Sequence, residues 1–193
     1  MKRGISCFIL YYRIKKKARY PAPLDDEAKA VSYIFENKEK YMVDTENYSL
    51  WGASAGGHLV GMFGLTKIGY AKYGLEKSGA LILSYPLISM QRKVTHMRSH
   101  DILLGKDADS DLEDLASIEL QIDQNYPRTF IWCFENDRTV NSENTKRMAR
   151  TLKENHVDHE CLIFNGELHG VGPGSDTAAE SRIDQAYDFW RKK

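Results

Sequence analysis

Strand alternating with helix along the whole chain predicts an α/β fold, a mainly parallel sheet flanked by helices. Three observations carry this expectation. Short apolar runs recur at Gly4 to Tyr12, Tyr48 to Trp51, Ala80 to Tyr85, Thr129 to Phe134 and Glu160 to Phe164, each of strand length. Segments with helical spacing of apolar residues lie between and after them. The chain has 193 residues, enough for one domain with a sizeable core and too few for two ordinary ones. Residues 1–193 therefore read as a single α/β domain.

The elements follow in order. Gly4 to Tyr12 is continuously apolar and aromatic, as a strand covered on both faces would be. Tyr20-Pro21-Ala22-Pro23 reads as a loop, because two prolines so close together oppose regular helix. From Leu24, the residues Ala28, Val31 and Ile34 keep a helical period. Asp25, Asp26 and Glu27 sit at the start of that helix and Lys38 and Lys40 near its end, which suits the helix dipole. Tyr48 to Trp51 is a short buried strand, and Ala55 to Leu65 a helix entered through glycines. Ala80 to Tyr85 is a strand stopped by Pro86. The pattern weakens from Leu87 to Tyr126, where the acidic stretch Lys106 to Asp114 reads as a solvated loop or short helix. Thr129 to Phe134 is the next strand. Asn141 or Ser142 caps a helix to about Asn155, with Met148 and Leu152 inward. Glu160 to Phe164 is the last strand. A glycine-rich turn, Gly170 to Gly174, leads to a final helix with Ile183, Ala186 and Trp190 on one face.

Composition excludes several function classes. Lysine plus arginine and aspartate plus glutamate are 27 each, so the balanced charge lacks the basic excess of a nucleic-acid binder. No apolar run approaches the ~20 residues of a membrane helix. Met1-Lys2-Arg3 leads into only a short apolar run with no small-residue cleavage site, so a cytoplasmic location is the expectation. Cys7, Cys133 and Cys161 are odd in number and lie in strand-like stretches, which reads as buried free thiols.

Gly52-Ala53-Ser54-Ala55-Gly56 is the sharpest local signal. Alone, such a string is equally a plain glycine-rich turn; a strand before it and a helix after it make it a nucleophile elbow, with Ser54 lifted above the sheet. Small residues on both sides of the serine keep neighbouring chain from colliding with it. The helix that follows places the Ala55 N–H beside the serine oxygen as an oxyanion-hole donor. A serine nucleophile needs a base, and the base an orienting acid, each on a loop after a later strand. His169 follows the strand ending at Phe164 and is the expected general base and acid. Asp137 follows the strand ending at Phe134 and is the expected orienter, with Glu135 as a rival. His58 reads as a packing histidine with a backbone partner, and His156 and His159 as solvated. His96 and His100 lie in the weakly patterned region, where they could touch substrate. Lys15-Lys16-Lys17 reads as a solvated loop. The histidines are scattered, with no HExxH and no paired cysteines, so no metal is expected.

With these residues placed, the chain resembles the α/β-hydrolase esterases, the group of acetyl esterases and acetylxylan-esterase-like lipases. The matching stretches are Phe8 to Arg13, Ala18-Arg19-Tyr20-Pro21-Ala22-Pro23, and Trp51-Gly52-Ala53-Ser54-Ala55-Gly56-Gly57-His58-Leu59. Ser84-Tyr85-Pro86, Leu103-Leu104-Gly105, Asp137-Arg138-Thr139-Val140 and Leu168-His169-Gly170 continue the match. The resemblance implies an α/β-hydrolase fold and hydrolysis of a short acyl ester, such as an acetyl group on a sugar, without a cofactor. Members carry a His-Gly-Gly-type oxyanion loop well before the elbow, whereas the only glycine before Gly52 is Gly4. By the resemblance, Met1 falls just before the family's fourth strand. The first three strands and the oxyanion loop are then absent, and the strands around Phe8 and Leu50 carry unpaired edges unless they close on each other. Such edges invite association with another chain. Two alternatives stand beside a serine esterase acting on a small-molecule ester: an amide-cleaving peptidase or formamidase, and a non-catalytic or partner-dependent hydrolase subunit.

Overall fold

The computed structural model describes residues 4–172 and 174–192. Its centre is a four-stranded parallel sheet in the order β1-β2-β3-β4. The strands are β1 (Ser49–Ala53), β2 (Ala80–Ser84), β3 (Thr129–Phe134) and β4 (His159–Phe164). Each strand is the sheet neighbour of the next in sequence. Trp51 pairs with Ile82, Ile82 with Phe130, and Ile131 with Cys161, so the chain returns between strands through helices.

Side-chain alternation sends β2 and β3 residues into two cores. Leu81, Leu83 and Ile131 join Leu24 and Val31 of α1 (Ala22–Glu36), Leu59 and Phe63 of α3 (Ala55–Phe63), and Met148 and Leu152 of α6 (Glu143–Glu154). Ile82, Phe130 and Trp132 pack instead against Ala186 and Phe189 of α7 (Arg182–Arg191). β3 is buried at every position, as a central strand with helices on both faces must be.

Several expectations change. The apolar run Gly4 to Tyr12 forms no strand; residues 5–14 carry no regular structure, and Ile9 and Tyr11 are 77% and 91% exposed. A strand needs a hydrogen-bonding neighbour, and this run and β1 do not pair. β1 accordingly has one sheet partner among the described residues, and its Trp51 is 45% exposed. Cys7 is exposed with that run, whereas Cys133 is buried and Cys161 partly so. The helix expected from Leu24 begins at Ala22, because Pro23 sits in its first turn, where a missing N–H costs nothing. It ends at Glu36 with Asn37 as its cap, and Lys38 and Lys40 lie in a separate short helix, α2 (Lys38–Tyr41). Glu27, read as a dipole-complementing residue, points into the core instead and is 4% exposed.

The weakly patterned region resolves into α4 (Met97–Leu103) and α5 (Ser110–Leu115), joined by turns. Asp109 caps α5 by accepting from the Leu112 N–H, so the acidic stretch is a short helix. In the glycine-rich turn, Gly170, Gly172 and Gly174 all take positive φ. Residue 173 of that turn and Met1-Lys2-Arg3 lie outside the described residues. Among the described residues, no helix is long and apolar enough to cross a membrane.

Candidate active site

The site forms at the carboxyl ends of β1, β3 and β4. Ser54 follows β1 at φ 53° and ψ −120°, a sparsely populated conformation for a residue with a Cβ. Three backbone bonds hold it there. Its N–H donates to Ser84 O at 3.0 Å, and its carbonyl accepts from the His58 and Leu87 N–H groups, each at 3.2 Å.

The glycines around it are not equivalent. A Cβ on Gly52 would lie 2.3 Å from the Gly56 carbonyl oxygen, and one on Gly57 would lie 2.7 Å from Pro86 Cβ. On Gly56 its nearest neighbour would be the Tyr12 hydroxyl at 3.9 Å, an ordinary contact. Crowding therefore requires Gly52 and Gly57, whereas Gly56 is not sterically compelled. The Ala55 N–H opens the first turn of α3, where it has no intrahelical carbonyl to reach.

The structure brings the three expected side chains into one hydrogen-bonded line. Ser54 Oγ lies 2.8 Å from His169 Nε2, and His169 Nδ1 lies 2.6 Å from Asp137 Oδ2. With Nδ1–H donating to the carboxylate, Nε2 is left as the acceptor facing the serine hydroxyl, the tautomer that proton abstraction needs. The Asp137 side chain is fully buried and that of His169 is 14% exposed. The other carboxylate oxygen of Asp137 accepts from the Thr139 and Val140 N–H groups at 2.8 and 3.0 Å, which aims Oδ2 at the imidazole. Arg138 and Glu167 pair across the two loops.

Glu135, the rival acid, turns away from the site and binds Lys146 Nζ at 2.7 Å. His58 is buried with Nε2 2.9 Å from Ala116 O, as a packing histidine should be, and burial pushes its pKa down to about 4. His96 Nδ1 meets Ser99 Oγ, while His100 is buried between the carboxylates of Asp101 and Glu113, which uses both its nitrogens within the α4–α5 region. His159 Nδ1 lies 2.8 Å from Val157 O. Lys15–Lys17 form an exposed 3-10 turn. No cluster of three or more His, Cys, Asp or Glu side chains is placed to hold a metal among the described residues.

Sequence reasoning missed the surroundings of this line. Tyr85, directly after β2, packs its ring on the His169 imidazole with centroids 4.8 Å apart. The available signal was an aromatic residue between a strand and Pro86. An apolar cavity of about 240 Å³ adjoins the elbow, with Ala55, Leu59, Leu87, Met90, Tyr12 and Leu103 in its wall. Its wall draws on segments far apart in the chain, so no local pattern announces it.

Known proteins resemble this chain in sequence and in fold. The BD-FAE family model matches residues 1–152. Endo-1,4-beta-xylanase B of Butyrivibrio fibrisolvens is 32% identical over 184 residues, covering 90% of this chain and 29% of that protein. Acetylxylan esterase of Xylanibacter ruminicola is 28% identical over 196 residues, covering 99% of this chain and 39% of that protein. The chain thus spans well under half the length of these two relatives. The crystal structure of an acetyl ester-xyloside bifunctional hydrolase from Caldicellulosiruptor lactoaceticus superposes with a TM-score of 0.82 at 29% identity, covering 93% of this chain and 68% of that one.

Proposed function

The chain belongs to the BD-FAE family, and from that premise we propose that it is a serine carboxylesterase hydrolysing short acyl esters, including acetyl groups on xylan-type carbohydrate. The observation that carries this reading is the hydrogen-bonded line from Ser54 Oγ through His169 to Asp137. Ser54 Oγ attacks the ester carbonyl carbon while His169 Nε2 takes the hydroxyl proton, and the carbonyl π electrons move onto oxygen. Asp137 holds the imidazole in orientation and offsets the charge of the imidazolium. The tetrahedral intermediate collapses, His169 returns the proton to the departing alcohol, and an acyl-serine remains. Water, deprotonated by the same nitrogen, then releases the acid and restores Ser54. The relatives' names, acetylxylan esterase and acetyl ester-xyloside hydrolase, support acetylated carbohydrate as the substrate class.

The Ala55 N–H is the donor this chain offers to the oxyanion. Residues 1–51 contain no His-Gly-Gly-type loop, and each missing oxyanion donor costs about 10²–10³ in turnover. Slow hydrolysis is therefore expected of these 193 residues alone. The test is release of p-nitrophenol from p-nitrophenyl acetate, with fluorophosphonate labelling of the protein alongside. Labelling that disappears in Ser54→Ala and in His169→Ala is the expected result. Absence of labelling in folded protein would overturn the esterase reading.

A second reading, a hydrolase that works only with a strand supplied by another chain, is favoured by the exposed outer side of β1 at Trp51. Its signature is ester turnover that is absent from this chain alone and present in a version extended upstream.

A further inference from the structure

The loop carrying His169 has a second set of anchors outside the serine–imidazole–carboxylate line. Tyr85 is buried at φ 37°, a strained conformation, and its N–H donates to Trp132 O at 2.6 Å. Its ring meets Trp132 edge-on at 5.0 Å and the His169 ring at 4.8 Å with 63° between planes. Its hydroxyl accepts from the Gly172 N–H at 3.2 Å. The carbonyl of the same Gly172 accepts from Arg182 Nη2 at 2.7 Å. Gly172, three residues beyond His169, is thus gripped on both of its backbone polar groups.

Arg182 is an unusual holder. It is 2% exposed, its guanidinium stacks over the Trp132 ring at 4.4 Å, and its Nη1 donates to Ala179 O at 2.8 Å. Its Nε, also buried, has no hydrogen-bond partner. Burial disfavours the charge, and the first turn of α7 is the positive end of a helix. A cation kept against both penalties, with its two hydrogen bonds on backbone carbonyls at the end of the His169 loop, does more there than fill space.

The geometry of the imidazole explains what the brace can add. Its two hydrogen bonds lie at opposite ends of the ring, so they fix the ring's position and leave tilt about the Nδ1–Nε2 direction free. The Tyr85 ring, meeting the imidazole edge-on at 63° with centroids 4.8 Å apart, restricts that freedom from the side. We propose that Tyr85 is a positioning residue for His169, and that Arg182 holds the far side of the same brace through Gly172. Tyr85 fixes the tilt of the imidazole, and the Gly172 clamp keeps the loop from drawing the ring away from Ser54. The kinetic consequence rests on the serine-esterase reading; the orientation of the ring does not.

Four variants test this: Tyr85→Leu, Tyr85→Phe, Arg182→Met and Arg182→Lys, each checked for folding by circular dichroism and thermal melting. Two readouts are used, steady-state hydrolysis of p-nitrophenyl acetate and proton NMR of the His169 Nδ1–H in its short bond to Asp137. Misplacement of a reacting group by about 1 Å can cost about 10² in rate, so Tyr85→Leu is expected to lower kcat by roughly 10–100-fold with KM unchanged. Tyr85→Phe keeps the ring contact but removes the acceptor of the Gly172 N–H, so its kcat is expected to lie between the parent and Tyr85→Leu. Arg182→Met is expected to lower kcat, and Arg182→Lys to recover part of it. The Nδ1 proton signal is expected to broaden most in Tyr85→Leu and less in Tyr85→Phe and Arg182→Met, which each keep the ring contact and lose one anchor of Gly172. A folded Tyr85→Leu with unchanged kcat and an unchanged proton signal overturns the proposal, as does a rise in KM alone. If Tyr85→Leu does not fold, Arg182→Met reads the brace from its other side by the same criteria. If the parent protein hydrolyses no ester, the esterase reading fails and the NMR result alone decides the positioning role.

Discussion

Replacing either glycine of the elbow by alanine separates steric necessity from mere pattern. At Gly52 the added Cβ would lie 2.3, 2.6 and 2.8 Å from Gly56 O, Gly56 C and Gly57 N, all backbone atoms of the first turn of α3. No side chain can rotate to relieve such contacts, so β1 and α3 must part. Overpacking costs about 1–3 kcal/mol, and a clash with three backbone atoms belongs at the upper end, about 3 kcal/mol or a fall in Tm of about 6–12 °C for a chain of this size. At Gly56 the same methyl meets only the Tyr12 hydroxyl at 3.9 Å. There, alanine's better helix propensity contributes up to about 1 kcal/mol of stabilisation. Thermal melts followed by circular dichroism, with urea denaturation to check the free energies, read both variants without requiring activity. The expected order of stability is Gly56→Ala at or above the parent, and Gly52→Ala far below. A Gly52→Ala protein that melts with the parent, or a Gly56→Ala protein that melts lower than Gly52→Ala, refutes the steric account of the elbow.

Two further perturbations act on charge. Asp137→Asn leaves the line sterically intact but presents an amide that can leave the imidazole in the wrong tautomer, so fluorophosphonate labelling of Ser54 is expected to slow by about 10⁴; labelling at the parent rate would remove Asp137 from the mechanism. Glu27 is buried with Oε2 unpartnered, and burial pushes its pKa up to about 8. Between the ordinary carboxylate range and pH 8 the unfolded chain is ionised while the folded one keeps its proton, so stability falls as pH rises through that window. Glu27→Gln is expected to flatten this decline, with its largest gain at and above pH 8 in melts taken from pH 5 to 9; a gain independent of pH would rule out ionisation of Glu27 as the cause. His58 works in the opposite sense: its folded pKa of about 4 means that stability is lost as pH falls below the unfolded value near 6.5.

How much was legible in the sequence differs from one element to the next, for physical reasons. β3 is buried at every position, and a continuous apolar run opening just after Pro127 has few other solutions, so Thr129 to Phe134 is found at its observed limits. The same kind of run at Gly4 to Tyr12 misleads, because apolarity reports a preference for burial, while a strand also requires a neighbour with free N–H and C=O groups. Pro23 misleads in the other direction: as a residue it opposes helix, yet at the first turn it fits. Glu27 could not be read at all, since three acidic residues in a row look alike until helix rotation carries one of them inward. In the site, Asp137 is separable from Glu135 only once the turn is built. The Thr139 and Val140 amides hold Asp137 toward His169, while Lys146 draws Glu135 to the far side.

The three side chains meet in spite of the misread N-terminal run because of where their loops leave the sheet. Ser54 leaves β1, Asp137 leaves β3 and His169 leaves β4, and β2 between them supplies the Ser84 carbonyl that holds the Ser54 N–H. Consecutive parallel strands place their carboxyl ends on one edge by topology alone, and right-handed crossovers leave little choice about order. A nucleophile, an acid and a base on loops from such strands therefore converge whether or not β1 has a further neighbour. The imidazole rests on β2, β3, β4 and the brace through Gly172, and not on the outer side of β1. Ring orientation at His169 and turnover are thus separable quantities in this chain, and a variant can lose one while keeping the other.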